Sequence, residues 1–234
     1  MEYAILIFIL ISTLIIIKIG LNIKIKDLQK IKQIAYSDEN NNLIKDFPDN
    51  KQICKEMLKM LNNSTVTVED AKDEKSKTSV YLVMQNKIII ANIDKTFTRI
   101  QTIAHECVHS VQNKVMLKFN FIISNINTIY FLAISILTIL GKTNNLAQNI
   151  LLAILIALQF AFFTVRNLLE TDAMIRAEAL SKEYIEKTVS KEKTNKIISK
   201  YKELNKVGIK AYTFMLIIKM IIKPVLYSAI AWLK

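Results

Sequence analysis

The two histidines of the chain, His105 and His109, stand four residues apart with Glu106 between them. On an α-helix this spacing puts both imidazoles on one face, close enough to bind a single Zn²⁺. Glu106 then points to the open side of the same metal, where a carboxylate can take a proton from bound water. The chemistry implied is metal-assisted hydrolysis, with His105 and His109 as ligands and Glu106 as general base. Zinc in such a site needs at least one more protein ligand and one open position. No third histidine exists, so that ligand is a carboxylate or a cysteine, and Glu170 in the run Leu168 to Ala173 is the candidate. Asp172 is placed to hold a ligating imidazole by its other ring nitrogen. Cys107 projects about 200° away from His105 around a helix and reads as a packed apolar residue rather than a ligand or nucleophile, with Cys54 likewise structural. Arg176 can serve an anionic intermediate or a structural carboxylate.

The elements that must position these groups follow from periodicity. A helix is predicted from about Lys95, with Asp94 as its N-cap, through His109 and on towards an apolar run. Ahead of it, Lys26 to Tyr36 and Lys51 to Leu61 have helical apolar spacing, separated by a polar loop from Ser37 to Asn42. Thr65 to Val68, Val80 to Met84 and Lys87 to Ala91 read as two or three strands, with Gln85 and Asn86 as a tight turn. His109 lies just before the apolar run Phe119 to Leu140, and Glu170 just after the run Leu146 to Val165. The helical rise over each intervening segment is roughly 8 to 9 Å, so an antiparallel hairpin of the two runs returns Glu170 to the depth of the histidines. Spacing alone leaves Glu170 open as a ligand or as an ordinary juxtamembrane charge.

The chain has 234 residues, 52% of them hydrophobic and 22% charged, with 3 Gly, 2 Pro and 2 Cys. Two cysteines exclude a disulfide framework, and the apolar content excludes general disorder. Apolar residues concentrate in four runs: Tyr3 to Ile17, the two runs of the hairpin, and Thr213 to Leu233, which contains Lys219, Lys223 and Pro224. The first, extended to Leu21 with Lys18 snorkelling, and the two hairpin runs have the length to cross a bilayer; the fourth reads as a span, with an interfacial helix as the alternative. The first reads as an uncleaved anchor rather than a signal peptide, because no basic residue precedes it and no small-x-small site follows. Lys18, Lys24, Lys26, Lys30 and Lys32 follow it, and the segment Arg166 to Lys210 holds two Arg and nine Lys, whereas the turn 141–145 holds only Lys142. Basic flanks mark the cytoplasmic side, so the N-terminus and the hairpin turn are expected outside. The segments expected are an anchor at 1–21, a cytoplasmic domain at 22–118, a hairpin at 119–165, a cytoplasmic helical segment at 166–212 and a last span at 213–234. The net charge of +12 is explained by this topology and by anionic lipid, with no nucleic acid partner.

Four stretches together resemble the YugP-like family of bacterial membrane-embedded neutral zinc metallopeptidases, a gluzincin-type group. They are Val66 to Asp70, Ala104 to Gln112, Glu170 to Ala173, and Arg176 with Ala177, in that order along most of the chain. The resemblance implies His105, His109 and Glu170 as zinc ligands and Glu106 as general base. Val108 stands where the family has Gly, and Ser110 where it has Ala. The fold class expected is a mostly α membrane protein with about four transmembrane helices and a small α+β cytoplasmic zincin-like domain. The function expected is hydrolysis of peptide or protein substrates, membrane-associated ones included, in the cell membrane with the site on the cytoplasmic side. Val108 also motivates the opposing expectation, an inactive membrane scaffold that keeps zinc as a staple. A membrane-surface adaptor using the basic stretch 181–210 is a third.

Overall fold

The computed structural model describes residues 2–73, 75–76 and 78–233, so Met1, Glu74, Lys77 and Lys234 lie outside the described residues. The chain is mostly helical, in the order α1 (Glu2–Gly20), α2 (Ile25–Tyr36), α3 (Asp38–Leu43), α4 (Asn50–Met60), β1 (Thr67–Asp70), β2 (Val80–Leu82), β3 (Lys87–Ile90), α5 (Arg99–His109), α6 (Lys114–Ile139), α7 (Asn145–Thr188) and α8 (Lys191–Trp232). These elements divide between two compact units. One comprises residues 1–23, 118–168 and 210–234; the other comprises 24–117 and 169–209.

The first unit contains the apolar runs. α1, α6, α7 and α8 are each long and apolar enough to cross a membrane. Local chemistry sets the turn between α6 and α7. Gly141 takes φ 67°, a left-handed conformation that costs glycine little, and Lys142 N–H donates to Leu137 O at 3.0 Å to close the end of α6. Asn144 Oδ1 then accepts from Ala147 N–H at 2.8 Å and caps the start of α7. Ile134, Leu152, Leu155 and Tyr227 form the core of this unit, with Tyr3 and Leu6 of α1 packed against it. α8 continues through Pro224 as one helix.

The second unit is built on a three-stranded sheet in the order β1-β3-β2, with β1 parallel and β2 antiparallel to β3. The connection from β2 to β3 ends at Asn86, at φ 49°, whose Oδ1 accepts from Tyr81 Oη and whose Nδ2 donates to Thr65 O. Asparagine tolerates this backbone region better than other non-glycine residues. Ile88 and Ile90 of β3 are buried in the same core as Ile53, Cys54 and Met57 of α4 and Ile100, Ile103 and Ala104 of α5. Asp49 caps α4 by accepting from Gln52 N–H at 2.9 Å. The C-terminal part of α7 and the first part of α8 complete the unit: Tyr201 Oη donates to Phe97 O at 2.8 Å, and Tyr184 Oη to Glu56 Oε2 at 2.7 Å.

Local expectations differ from what is observed at several points: β1 runs over Thr67–Asp70 rather than Thr65 to Val68, and β2 ends at Leu82 rather than Met84. The polar stretch after Tyr36 is not a loop but the short helix α3, whose Asn40 is buried and donates from Nδ2 to Ile34 O at 2.9 Å. α5 begins at Arg99 rather than near Lys95, after Thr98 and not Asp94. Phe97 explains the late start, because its ring is buried against Tyr201 and its N–H donates to Ala35 O at 3.1 Å. α5 also ends at His109, and a turn precedes α6 instead of one continuous helix.

Arg99, which opens α5, is 4% exposed. Its Nη1 donates to Pro48 O and Asn50 Oδ1 and its Nη2 to Ile44 O and Phe47 O, at 2.8 to 3.0 Å. Burial holds its pKa below the usual guanidinium value, while these four acceptors compensate the charge. Replacing Arg99 by Met strands the carbonyls between α3 and α4. The expected loss is about 3 kcal/mol of stability, read as a lowered denaturation midpoint.

Candidate metal centre

α5 places His105 and His109 on one face, as the i, i+4 spacing requires, and α7 brings Glu170 to them within the second unit. His105 Nε2 lies 3.0 Å from His109 Nε2 and 3.2 Å from Glu170 Oε2, and His109 Nε2 lies 3.5 Å from Glu170 Oε1. Nitrogen and oxygen ligands held about 2.0 to 2.1 Å from a tetrahedral ion stand about 3.3 to 3.4 Å apart. The observed separations, two of them to different oxygens of Glu170, are of this order, and one ligand atom from each residue lies within 4.8 Å of the others. His109 and Glu170 are buried, at 8% and 4% exposure, and His105 is half-buried, which leaves one side of the group approachable.

The protonation pattern agrees with a cation. His109 Nδ1 lies 2.7 Å from Gln112 Oε1, an atom that only accepts, so Nδ1 carries the proton and Nε2 turns its lone pair towards His105 and Glu170. Gln112 is itself oriented, because its Nε2 donates to Leu169 O at 2.8 Å and to Asp172 Oδ2 at 2.7 Å. Arg176 Nη1 faces the same Asp172 oxygen at 3.4 Å. A lone pair, a second ring nitrogen and a carboxylate converging within hydrogen-bond distance form a donor set that a divalent cation satisfies. The group can therefore hold a metal ion.

This arrangement changes the role expected for Asp172. It does not hold an imidazole directly; Gln112 stands between, a residue to which the spacing of the ligands gives no part. A signal is nevertheless present in the chain, since Gln112 follows His109 by three residues and can reach back over one turn. Replacing Gln112 by Leu removes the acceptor that fixes the His109 tautomer. Metal affinity should then fall about 10- to 100-fold in a chelator competition titration.

Glu106 is not part of the ligand group. It is 8% exposed, and its Oε2 accepts from the Tyr81 backbone N–H at 2.6 Å. β2 is one of the two edge strands, and this N–H ties it to α5. Cys107 packs away from the ligands. Its Sγ is 3.6 Å from Cys54 Sγ, both residues are fully buried, and the hydrogen bond to Cys54 together with burial pushes the Cys107 thiol well above its ordinary pKa. Such a thiol is a poor nucleophile. Val108 is also buried, at 1% exposure. Ser110 ends the helix with its hydroxyl donating to Cys107 O at 2.6 Å and accepting from Asn63 Nδ2 at 2.9 Å.

Comparison with protein-family models, with curated proteins and with solved structures found no match to this chain.

Proposed function

We propose that the chain is a membrane-bound zinc-dependent metallopeptidase, with His105, His109 and Glu170 as zinc ligands and Glu106 as general base. The convergence of His105, His109 and Glu170 carries this reading, because two imidazoles and one carboxylate within 4.8 Å of one another are a ligand set that would hold zinc. When bound, zinc supplies Lewis acidity: it activates water and polarises the scissile carbonyl. The chain's own residues do the rest. Tyr81 N–H fixes one oxygen of Glu106, and the carboxylate accepts the proton released from water and returns it to the leaving amine. Gln112 holds His109 in the tautomer that keeps Nε2 available.

The edge position of β2 supports a peptide as substrate. An extended peptide can pair with a strand edge through main-chain hydrogen bonds, and β2 is an edge strand next to Glu106, whose carboxylate would have to release the Tyr81 N–H for such pairing. Pairing of this kind favours cleavage within a chain over trimming of its ends. The four long apolar helices and the basic segments 22–32 and 166–210 support a multi-pass protein of the cell membrane with its hydrolytic site on the cytoplasmic side.

The test is cleavage of a fluorogenic peptide library by the full-length protein in lipid vesicles. Cleavage should be lost with a chelator and restored by Zn²⁺. Bound zinc without any chelator-sensitive cleavage would make the site a structural staple instead.

A further inference from the structure

The membrane-type unit contains a second polar site that the metal centre does not use. A cavity of about 280 Å³ is lined by Ser124 and Asn127 of α6, Gln159 and Phe162 of α7, and Lys219, Ile222 and Lys223 of α8. Lys219 and Lys223 are one helical turn apart and share a face. Lys223 Nζ donates to Thr128 Oγ1 at 3.1 Å, a neutral partner. Segments 118–168 and 210–234 contain no Asp or Glu, so these segments offer the two cations no carboxylate. Gln159 is 2% exposed, and its Nε2 has no hydrogen-bond partner among the described residues. A buried amide donor without a partner is costly, and two ammonium groups beside it are costlier still. All three share one missing component, a hydrogen-bond acceptor with negative charge.

The depth of the cavity identifies the source of that charge. Lys219 lies six residues into the last apolar run and Gln159 six residues from the end of the third, each about 9 Å along the helix; Asn127 lies about 12 Å inside the second. Lys223 lies about 15 Å into the last run, so the site is on the half whose helix ends carry the basic flanks, with the lysine side chains long enough to extend their ammonium groups towards the headgroup layer. A free anion would have to shed its hydration to reach it. A lipid reaches it by lying alongside, and Phe160, Ile218 and Ile222 offer exposed apolar surface for its chains. We propose that this cavity binds the phosphodiester headgroup of an anionic phospholipid, with Lys219 and Lys223 neutralising the phosphate and Gln159 Nε2 donating to one of its oxygens. The site stands on the membrane unit alone and is independent of the peptidase reading.

Native mass spectrometry of the full-length protein, offered equal amounts of dioleoylphosphatidylglycerol and dioleoylphosphatidylcholine, tests this. The wild type should retain about one phosphatidylglycerol per chain with a preference of about thirtyfold over phosphatidylcholine. In the K219Q/K223Q double variant the preference should fall to about threefold, with an unchanged helical circular dichroism spectrum and melting temperature reporting an intact fold. Q159M keeps both charges and side-chain length, and should weaken retention severalfold if the amide donates to the phosphate. An equal preference in wild type and K219Q/K223Q overturns the assignment, and full retention by Q159M overturns the role given to Gln159. Displacement of the bound lipid by millimolar inorganic phosphate overturns the lipid as the source of the anion.

Discussion

Glu106→Gln is expected to retain metal at the wild-type level while lowering peptide hydrolysis by about a thousandfold. The substitution is isosteric, and the glutamine carbonyl oxygen can still accept from the Tyr81 N–H that Glu106 Oε2 accepts at 2.6 Å. The edge strand therefore stays tied to α5, and the fold is preserved. What is lost is the ability to take a proton, since an amide is not a base at neutral pH. Turnover by the vesicle-reconstituted variant and its zinc content, measured on the same preparation, separate the alternatives. Retained hydrolysis removes Glu106 from the chemistry, and loss of zinc gives it a ligand role instead.

Glu170→Ala should have the opposite signature. The carboxylate lies 3.2 Å from His105 Nε2 and 3.5 Å from His109 Nε2, and it is the only negative charge in the ligand group. Its removal leaves two neutral imidazoles to hold a dication. We expect affinity for Zn²⁺ to fall by on the order of a thousandfold, beyond the 10- to 100-fold typical of residues that only orient a ligand. A structural role for Glu170 is distinguished by melting. A ligand stabilises the folded state through binding, so the gap in Tm between zinc-loaded and chelated protein should close in the variant while the Tm of the chelated protein holds. An unchanged zinc titration would sink the three-residue centre and the peptidase reading with it.

The parts of the site that depend on neighbours along the chain are legible in the residues themselves. Two histidines in register on a helix need only the 3.6-residue period, and the turn between α6 and α7 is marked by Gly141, Lys142, Thr143, Asn144 and Asn145 between two apolar runs. Local polarity misleads elsewhere. Asp38 to Leu43 has no apolar stripe, yet it is helical because Asn40 is buried against the end of α2. Asp94 is a good N-cap by type, yet the helix starts later because Phe97 is held by Ala35 and Tyr201. The Phe97 contacts join residues far apart in sequence, so no window of the chain contains both partners.

The same division runs through the function proposed. The amino-acid sequence by itself determined the His105–Glu106–His109 face, the four apolar helices and the absence of a third histidine, because each is a matter of residue type and short-range period. It left Glu170 open between ligand and surface charge, since 61 residues separate it from His109. Only the tertiary structure brought that carboxylate to the imidazoles, inserted Gln112 between His109 and Asp172, and set the Glu106 carboxylate against the edge strand at Tyr81. It also gathered Lys219, Lys223 and Gln159 around one cavity. The physical reason is the same in each case: a site is a set of distances, and packing alone sets distances between residues on different elements.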